Sequence, residues 1–99
     1  MMDDIEEITA IVFPMGKLSE MELAEEVLKV FQRAERLVLI CRELPTEEMD
    51  QGMVTIDRYV NRGLDKLERR GVINRETRDE QYSMGFLYLG HVGLTGKIP

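Results

Sequence analysis

Hydrophobic and polar positions change their spacing twice between residues 53 and 89. In residues 53–70 the apolar side chains recur at helical spacing: Met53, Ile56, Val60, Leu64 and Leu67. A charged stretch at 74–80 follows, and then four large side chains alternate with their neighbours: Tyr82, Met84, Phe86 and Tyr88. Alternation with a period of two favours a half-buried strand. The pattern predicts an amphipathic helix, a strand that begins at Val72-Ile73, a turn at 78–80 and a returning strand at 81–89.

A second amphipathic stretch lies upstream of this unit. Ser19 and Glu22 form the S-x-x-E pattern of a capping box, which is a signal for a helix start. Pro45 interrupts helical geometry, so the stretch predicts a helix over residues 19–44. Its apolar stripe consists of Leu23, Val27, Val30, Ala34, Leu37, Val38 and Cys41.

The C-terminal end of that helix is apolar on more than one side, because Leu39 and Ile40 lie off the stripe. A helix that is apolar all round is buried on several sides. In a chain of 99 residues the covering surface can belong to a second copy, so the sequence predicts a homodimer. The expected interface residues are Phe31, Leu37, Leu39 and Ile40.

The remaining segments give weaker patterns. Residues 3–13 predict a helix, with a short strand at 8–13 as the alternative, and residues 46–51 predict either one helical turn or a loop. Gly63 lies within a predicted helix, where glycine costs about 1 kcal/mol relative to alanine, so a neighbouring element is expected to approach closely there. Gly71 is the expected left-handed helix stop. Residues 90–99 predict a flexible tail, which leaves 1–89 as one domain.

Composition restricts the class of protein. The chain is 43% hydrophobic and 32% charged, which is typical of globular proteins. Its longest apolar run, residues 37–41, is far shorter than the roughly 20 residues that a membrane span needs. An acidic N-terminus argues against a signal peptide, so a cytoplasmic protein without membrane contact is expected. The single Cys41 lies on an apolar helix face and is interpreted as a small buried side chain.

Charge is distributed unevenly along the chain. The net charge is −6, whereas residues 55–78 carry seven bases against four acids. Affinity for phosphate backbones comes from concentrated positive charge, so the overall acidity argues against a non-specific polyanion binder. The local excess of bases is compatible with a small, directed nucleic-acid surface.

Two short segments carry a resemblance to a known family. Leu64-Asp-Lys-Leu-Glu-Arg-Arg-Gly-Val-Ile73 resembles the end of the third helix of winged-helix domains, where it enters the wing. Residues 16–27, Gly-Lys-Leu-Ser-Glu-Met-Glu-Leu-Ala-Glu-Glu-Val, look like the start of the second helix of helix-turn-helix regulators. The resemblance implies a winged-helix-like fold that is mainly α-helical with a small C-terminal antiparallel β-hairpin.

The same resemblance implies a small transcriptional regulator that binds DNA as a dimer. Arg58, Arg62, Lys66 and Arg69 would then contact DNA from the helix, and Arg75 and Arg78 from the wing. The alternative is that these cations form a solvated face, partly neutralised by Asp57, Asp65, Glu68 and Glu76. In that case the domain is a protein–protein interaction module or an accessory subunit without DNA binding.

Catalytic and metal chemistry have little support in the sequence. The motifs at Glu22/Glu25 and Glu47/Asp50 resemble the magnesium-binding carboxylates of MazG-type nucleotide pyrophosphohydrolases, but surface charge explains acids at these positions better. His91 has no Cys, His or Asp partner at ligand spacing. We therefore expect no enzyme activity, no metal and no cofactor.

Overall fold

The computed structural model describes residues 17–98 and shows three helices connected by short loops. A 3₁₀ turn at Leu18–Glu20 precedes helices α1 (Glu25–Cys41), α2 (Thr46–Arg69) and α3 (Arg75–Thr95). The short connections make successive helices antiparallel. The core consists of apolar side chains from all three helices, including Val27, Val38, Val60, Leu64 and Val92. The predicted element at residues 3–13 lies outside the described residues.

The predicted fold class is wrong in its C-terminal part. Residues 17–98 contain no strand, and the expected β-hairpin and wing are replaced by α3, so the described fold is all-α. Asn74 caps this helix, since its Oδ1 accepts a hydrogen bond of 2.8 Å from the backbone N–H of Thr77. The charged stretch at 74–80 is therefore a helix start and not a turn.

The alternation at 82–88 was misleading because α3 carries apolar residues on several sides. Gly85, Tyr88, Leu89 and Val92 are buried, and their spacing is helical. Phe86 and Leu87, in contrast, are about half exposed. A helix with apolar residues on both its inner and its outer faces has short stretches that alternate like a strand, and the helical period becomes visible only when the window extends to Val92.

Other helix boundaries also differ from the prediction. The helix expected from Ser19 begins at Glu25, and the capping box does not form because residues 18–20 make a 3₁₀ turn instead. The backbone N–H of Ala24 donates to Oε1 of Gln81 at 3.3 Å, which ties the helix start to α3. The turn predicted at 46–51 is continuous with the following helix and forms the start of α2. Residues 90–95, predicted as tail, belong to α3.

Gly71 and Gly63 have the roles that the sequence predicted. Gly71 has a φ of 77° and ends α2, with the Val72 N–H donating to the carbonyl of Leu67 at 3.0 Å. A Cβ at Gly63 would lie 3.1 Å from Cγ2 of Val30, which confirms that α1 and α2 approach closely there. Burial of Cys41 is also confirmed, and its Sγ donates to the carbonyl of Met49 at 3.2 Å.

Two tyrosine hydroxyls connect α3 to the other helices. The Tyr88 hydroxyl donates to the carboxylate of Glu35 on α1, and both residues are buried. The Tyr82 hydroxyl donates to the carboxylate of Asp57 on α2. Burial, followed by the bond to the carboxylate, raises the pKa of both phenols above the ordinary value of 10.0.

These pKa shifts predict how stability depends on alkaline pH. A group whose pKa is higher in the folded state than in the unfolded state stabilises the fold fully at pH values below its unfolded pKa, which is near 10 for tyrosine. This stabilisation is lost as the pH rises through the folded pKa. We expect the free energy of unfolding by urea to fall above about pH 10. The Tyr82→Phe/Tyr88→Phe variant lacks both phenols, so its stability should fall less steeply over that range. Equal pH dependence in the two proteins would show that these tyrosines do not contribute.

Candidate nucleic-acid interface

Three acidic residues of α2 contact side chains of α3. Arg78 on α3 donates from Nε to Oδ1 of Asp65 at 3.0 Å, and Nε of Arg75 lies 3.1 Å from a carboxylate oxygen of Glu68. Asp57 accepts from Tyr82. Three of the four acids considered as neutralising partners for the α2 cations, namely Asp57, Asp65 and Glu68, thus contact groups of α3 instead.

Arg75 and Arg78, the two cations predicted for the wing, both form ion pairs with α2. The Arg78 side chain is only 11% exposed, and its Nη2 also donates to Oδ1 of Asn61 at 2.6 Å. Its guanidinium lies 5.6 Å from the centroid of the Tyr82 ring, within range of a cation–π interaction. Arg75 is exposed but pairs with Glu68. Both residues therefore stabilise the contact between α2 and α3.

A groove of about 450 Å³ lies between α1 and α2, and five of its eleven lining residues are cations. Its charged residues are Lys29, Arg33 and Arg36 from α1, Lys66 and Arg70 from α2, and the single acid Glu26. The formal charge of this lining, five cations minus one carboxylate, is +4. Glu26 is itself 3.6 Å from Nζ of Lys29. We call this feature the basic groove.

Four of these cations have no acidic partner in the described part of the chain. The ion pairs within residues 17–98 involve Lys29, Arg42, Arg75 and Arg78, and none of them includes Arg33, Arg36, Lys66 or Arg70. Three acids of α2, namely Asp57, Asp65 and Glu68, contact groups of α3 and not these cations. The basic groove therefore presents four uncompensated positive charges.

Helical spacing and one glycine assemble this groove. Residues 29, 33 and 36 follow the i, i+4, i+7 spacing of one helix face, and residues 66 and 70 are separated by one turn. The close approach of Val30 to Gly63 brings these two faces together. Both Val30 and Gly63 line the groove between its cations.

Only Lys66 of the six predicted DNA-contacting residues lines the basic groove. Arg58, Arg62 and Arg69 are exposed, and their spacing places them on the outer face of α2, beside the groove. The prediction missed Lys29, Arg33, Arg36 and Arg70. Their spacing was visible in the sequence, but only the antiparallel pairing of α1 with α2 shows that the two rows face one space.

A second, apolar groove is lined by residues of the same two helices and of the loop that follows α1. It has a volume of about 380 Å³ and is lined by Leu37, Ile40, Cys41, Leu44, Gly52, Thr55, Ile56 and Tyr59. Tyr59 lines both grooves and therefore marks the place where they meet. Ile40 is 65% exposed, so this apolar groove is open to solvent.

The residues predicted for a dimer interface are divided between the core and the surface. Phe31 is fully buried and its ring packs against Gly85 of α3. Leu39 is half-buried against the core, whereas Leu37 and Ile40 are exposed and line the apolar groove. The structure therefore leaves Leu37 and Ile40 accessible and places Phe31 inside the monomer.

Other sites considered from the sequence are not assembled in residues 17–98. No group of three or more His, Cys, Asp or Glu side chains in this range is placed to hold a metal ion. His91 is half-buried, and its Nδ1 has no hydrogen-bond partner within the same range. None of the helices that the structure describes has the length and apolar character needed to cross a membrane.

In comparisons with known proteins, the chain matches no family model, no curated protein and no solved structure.

Proposed function

We propose that the protein binds nucleic acid through the basic groove. The observation that carries this proposal is the set of four cations, Arg33, Arg36, Lys66 and Arg70, that line one groove without a carboxylate partner within residues 17–98. Like charges placed together repel each other, so the unliganded groove destabilises the fold slightly. An anionic ligand removes this repulsion when it binds.

The chemistry of the groove suits phosphates in particular. Three of the four uncompensated cations are arginines, whose planar guanidinium groups can donate two parallel hydrogen bonds to one phosphate. Cations on two helices with spacings of one to two turns can contact successive phosphates of a chain. A repeated polyanion uses all four charges, whereas a single small anion uses only some of them.

The acidity of the remaining surface supports a directed interaction. The whole chain has a net charge of −6, so a polyanion is repelled from most of the molecule and attracted to the groove. DNA is the nucleic acid that the resemblance to helix-turn-helix regulators implies. We accordingly propose DNA binding.

The dependence of binding on salt tests this proposal. Fluorescence anisotropy of a labelled oligonucleotide should give a binding constant that falls linearly on a log–log plot against salt concentration. With four phosphates neutralised, the expected slope is about −3 to −4. A slope near zero, or no binding at low salt, would contradict nucleic-acid binding through the basic groove.

A further inference from the structure

The basic groove and the apolar groove share Tyr59 in their linings and differ in chemistry. Cations line one half, and Leu37, Ile40 and Leu44 line the other. Tyr59 belongs to both halves. Along α2 the surface extends from Gly52 to Arg70, which is about 27 Å at the rise of an α-helix. A ligand that fills this surface needs closely spaced negative charges together with apolar area.

Double-stranded DNA meets only the first of these requirements. Its bases are stacked and paired inside the duplex, so its outer surface offers phosphates and the polar edges of bases. The apolar half would remain empty beside a duplex. Unpaired bases, in contrast, expose flat apolar faces within a few ångströms of the phosphates that link them.

We propose that the preferred ligand of this surface is single-stranded nucleic acid, with phosphates on Arg33, Arg36, Lys66 and Arg70 and a base against Tyr59. This inference rests on the proposed function and specifies its ligand class. Proteins that bind single strands commonly combine a positively charged groove with aromatic side chains on which bases stack. Tyr59 is the aromatic residue that lines both grooves, and it is half-buried.

Burial of part of Tyr59 suits this role. The residue packs against the core, which restricts its side chain, and it also lines the two grooves. A restricted ring loses little conformational freedom when a base binds to it. The neighbouring Ile40 and Leu44 provide apolar area for a second base or for the sugar that follows the first.

The test compares a fluorescein-labelled oligo-dT of 12 nucleotides with a duplex of the same length, using the full-length protein. The single strand should bind more tightly than the duplex. Tyr59→Leu keeps an apolar side chain but removes the aromatic face, so it should weaken oligo-dT binding roughly 5- to 100-fold and leave duplex binding nearly unchanged. Tyr59→Trp should restore affinity.

Ile40→Glu is a second test variant. Ile40 is 65% exposed, so this substitution should leave folding intact, whereas Tyr59 is partly buried. It should also weaken oligo-dT binding, since it places a carboxylate in the apolar half. Equal affinity for duplex and single strand, or unchanged oligo-dT affinity in folded Tyr59→Leu and Ile40→Glu proteins, would overturn the inference while leaving nucleic-acid binding intact. Absence of binding to both probes would instead contradict the proposed function.

Discussion

Gly85→Ala is expected to destabilise the protein by about 2 kcal/mol, because a methyl group at this position would collide with the ring of Phe31. Phe31 is fully buried on α1, and Gly85 is buried on α3, so the contact fixes the distance between these helices. The added Cβ must displace the ring or push the helices apart. Inserting a methyl group into a packed core typically costs 1–3 kcal/mol, from which up to about 1 kcal/mol of improved helix propensity is subtracted.

Phe31 has some room to move, and this limits the expected cost. It borders a cavity of about 60 Å³ between α2 and α3, together with Val60 and Phe86. Partial displacement of the ring into this space would relieve the overlap. A loss of about 2 kcal/mol lowers the melting temperature of a domain of this size by roughly 10 °C.

Gly90→Ala is the matched control, since it makes the same change five residues later in the same helix. A Cβ at Gly90 meets no atom within 4 Å, so only the gain in helix propensity remains. We expect a stabilisation of about 0.5–1 kcal/mol. Thermal and urea unfolding of both variants should therefore shift in opposite directions. A shift of Gly85→Ala in the stabilising direction would show that the close contact between Phe31 and Gly85 is absent.

The sequence predicted the two long amphipathic helices because their apolar residues repeat over about four to five turns. The stripe from Ile56 to Leu67 is buried as expected, and the stop at Gly71 was readable from the freedom of glycine to adopt a positive φ. Helix starts were harder to place. The capping box at Ser19 has the correct residues, but the chain forms a 3₁₀ turn there and starts α1 six residues later.

The third helix could not be recognised by a short window. Its inner face includes Gly85, Tyr88 and Val92, and its outer face includes Phe86 and Leu87, so no clear polar stripe separates them. The N-cap Asn74 with Glu76 in the first turn was the available signal for a helix. The resemblance to a wing favoured the interpretation of the alternation as a strand instead.

The candidate site was only partly accessible to sequence reasoning, because it depends on how charges pair in space. Arg75 and Arg78 were as plausible as Lys66 by charge alone, yet the structure pairs them with Glu68 and Asp65. Arg33 was not among the predicted DNA-contacting residues. Its position in the groove follows from the packing of α1 against α2 near Gly63.

The second large effect is expected from reversing two charges in the basic groove. Arg33 and Lys66 are exposed and lie on different helices, so the Arg33→Glu/Lys66→Glu variant should fold normally. Each reversal removes one charge-assisted phosphate contact, of about 1.5–3 kcal/mol, and adds a repulsion. We expect nucleic-acid affinity to fall on the order of 100-fold or more.

The matched control is Lys17→Glu/Lys97→Glu, which changes the net charge by the same amount. Both lysines are exposed, neither lines the basic groove, and neither belongs to an ion pair within residues 17–98. General electrostatic repulsion affects both double variants similarly. The difference between their affinities therefore measures the contribution of the basic groove.

The decisive measurement is the anisotropy titration of one labelled oligonucleotide with wild-type protein and these two double variants at several salt concentrations. Binding through the basic groove predicts that Arg33→Glu/Lys66→Glu loses most of its affinity and about two units of the log–log salt slope, while Lys17→Glu/Lys97→Glu keeps the wild-type slope. Equal losses in the two variants, or a wild-type slope in the groove variant, would contradict it.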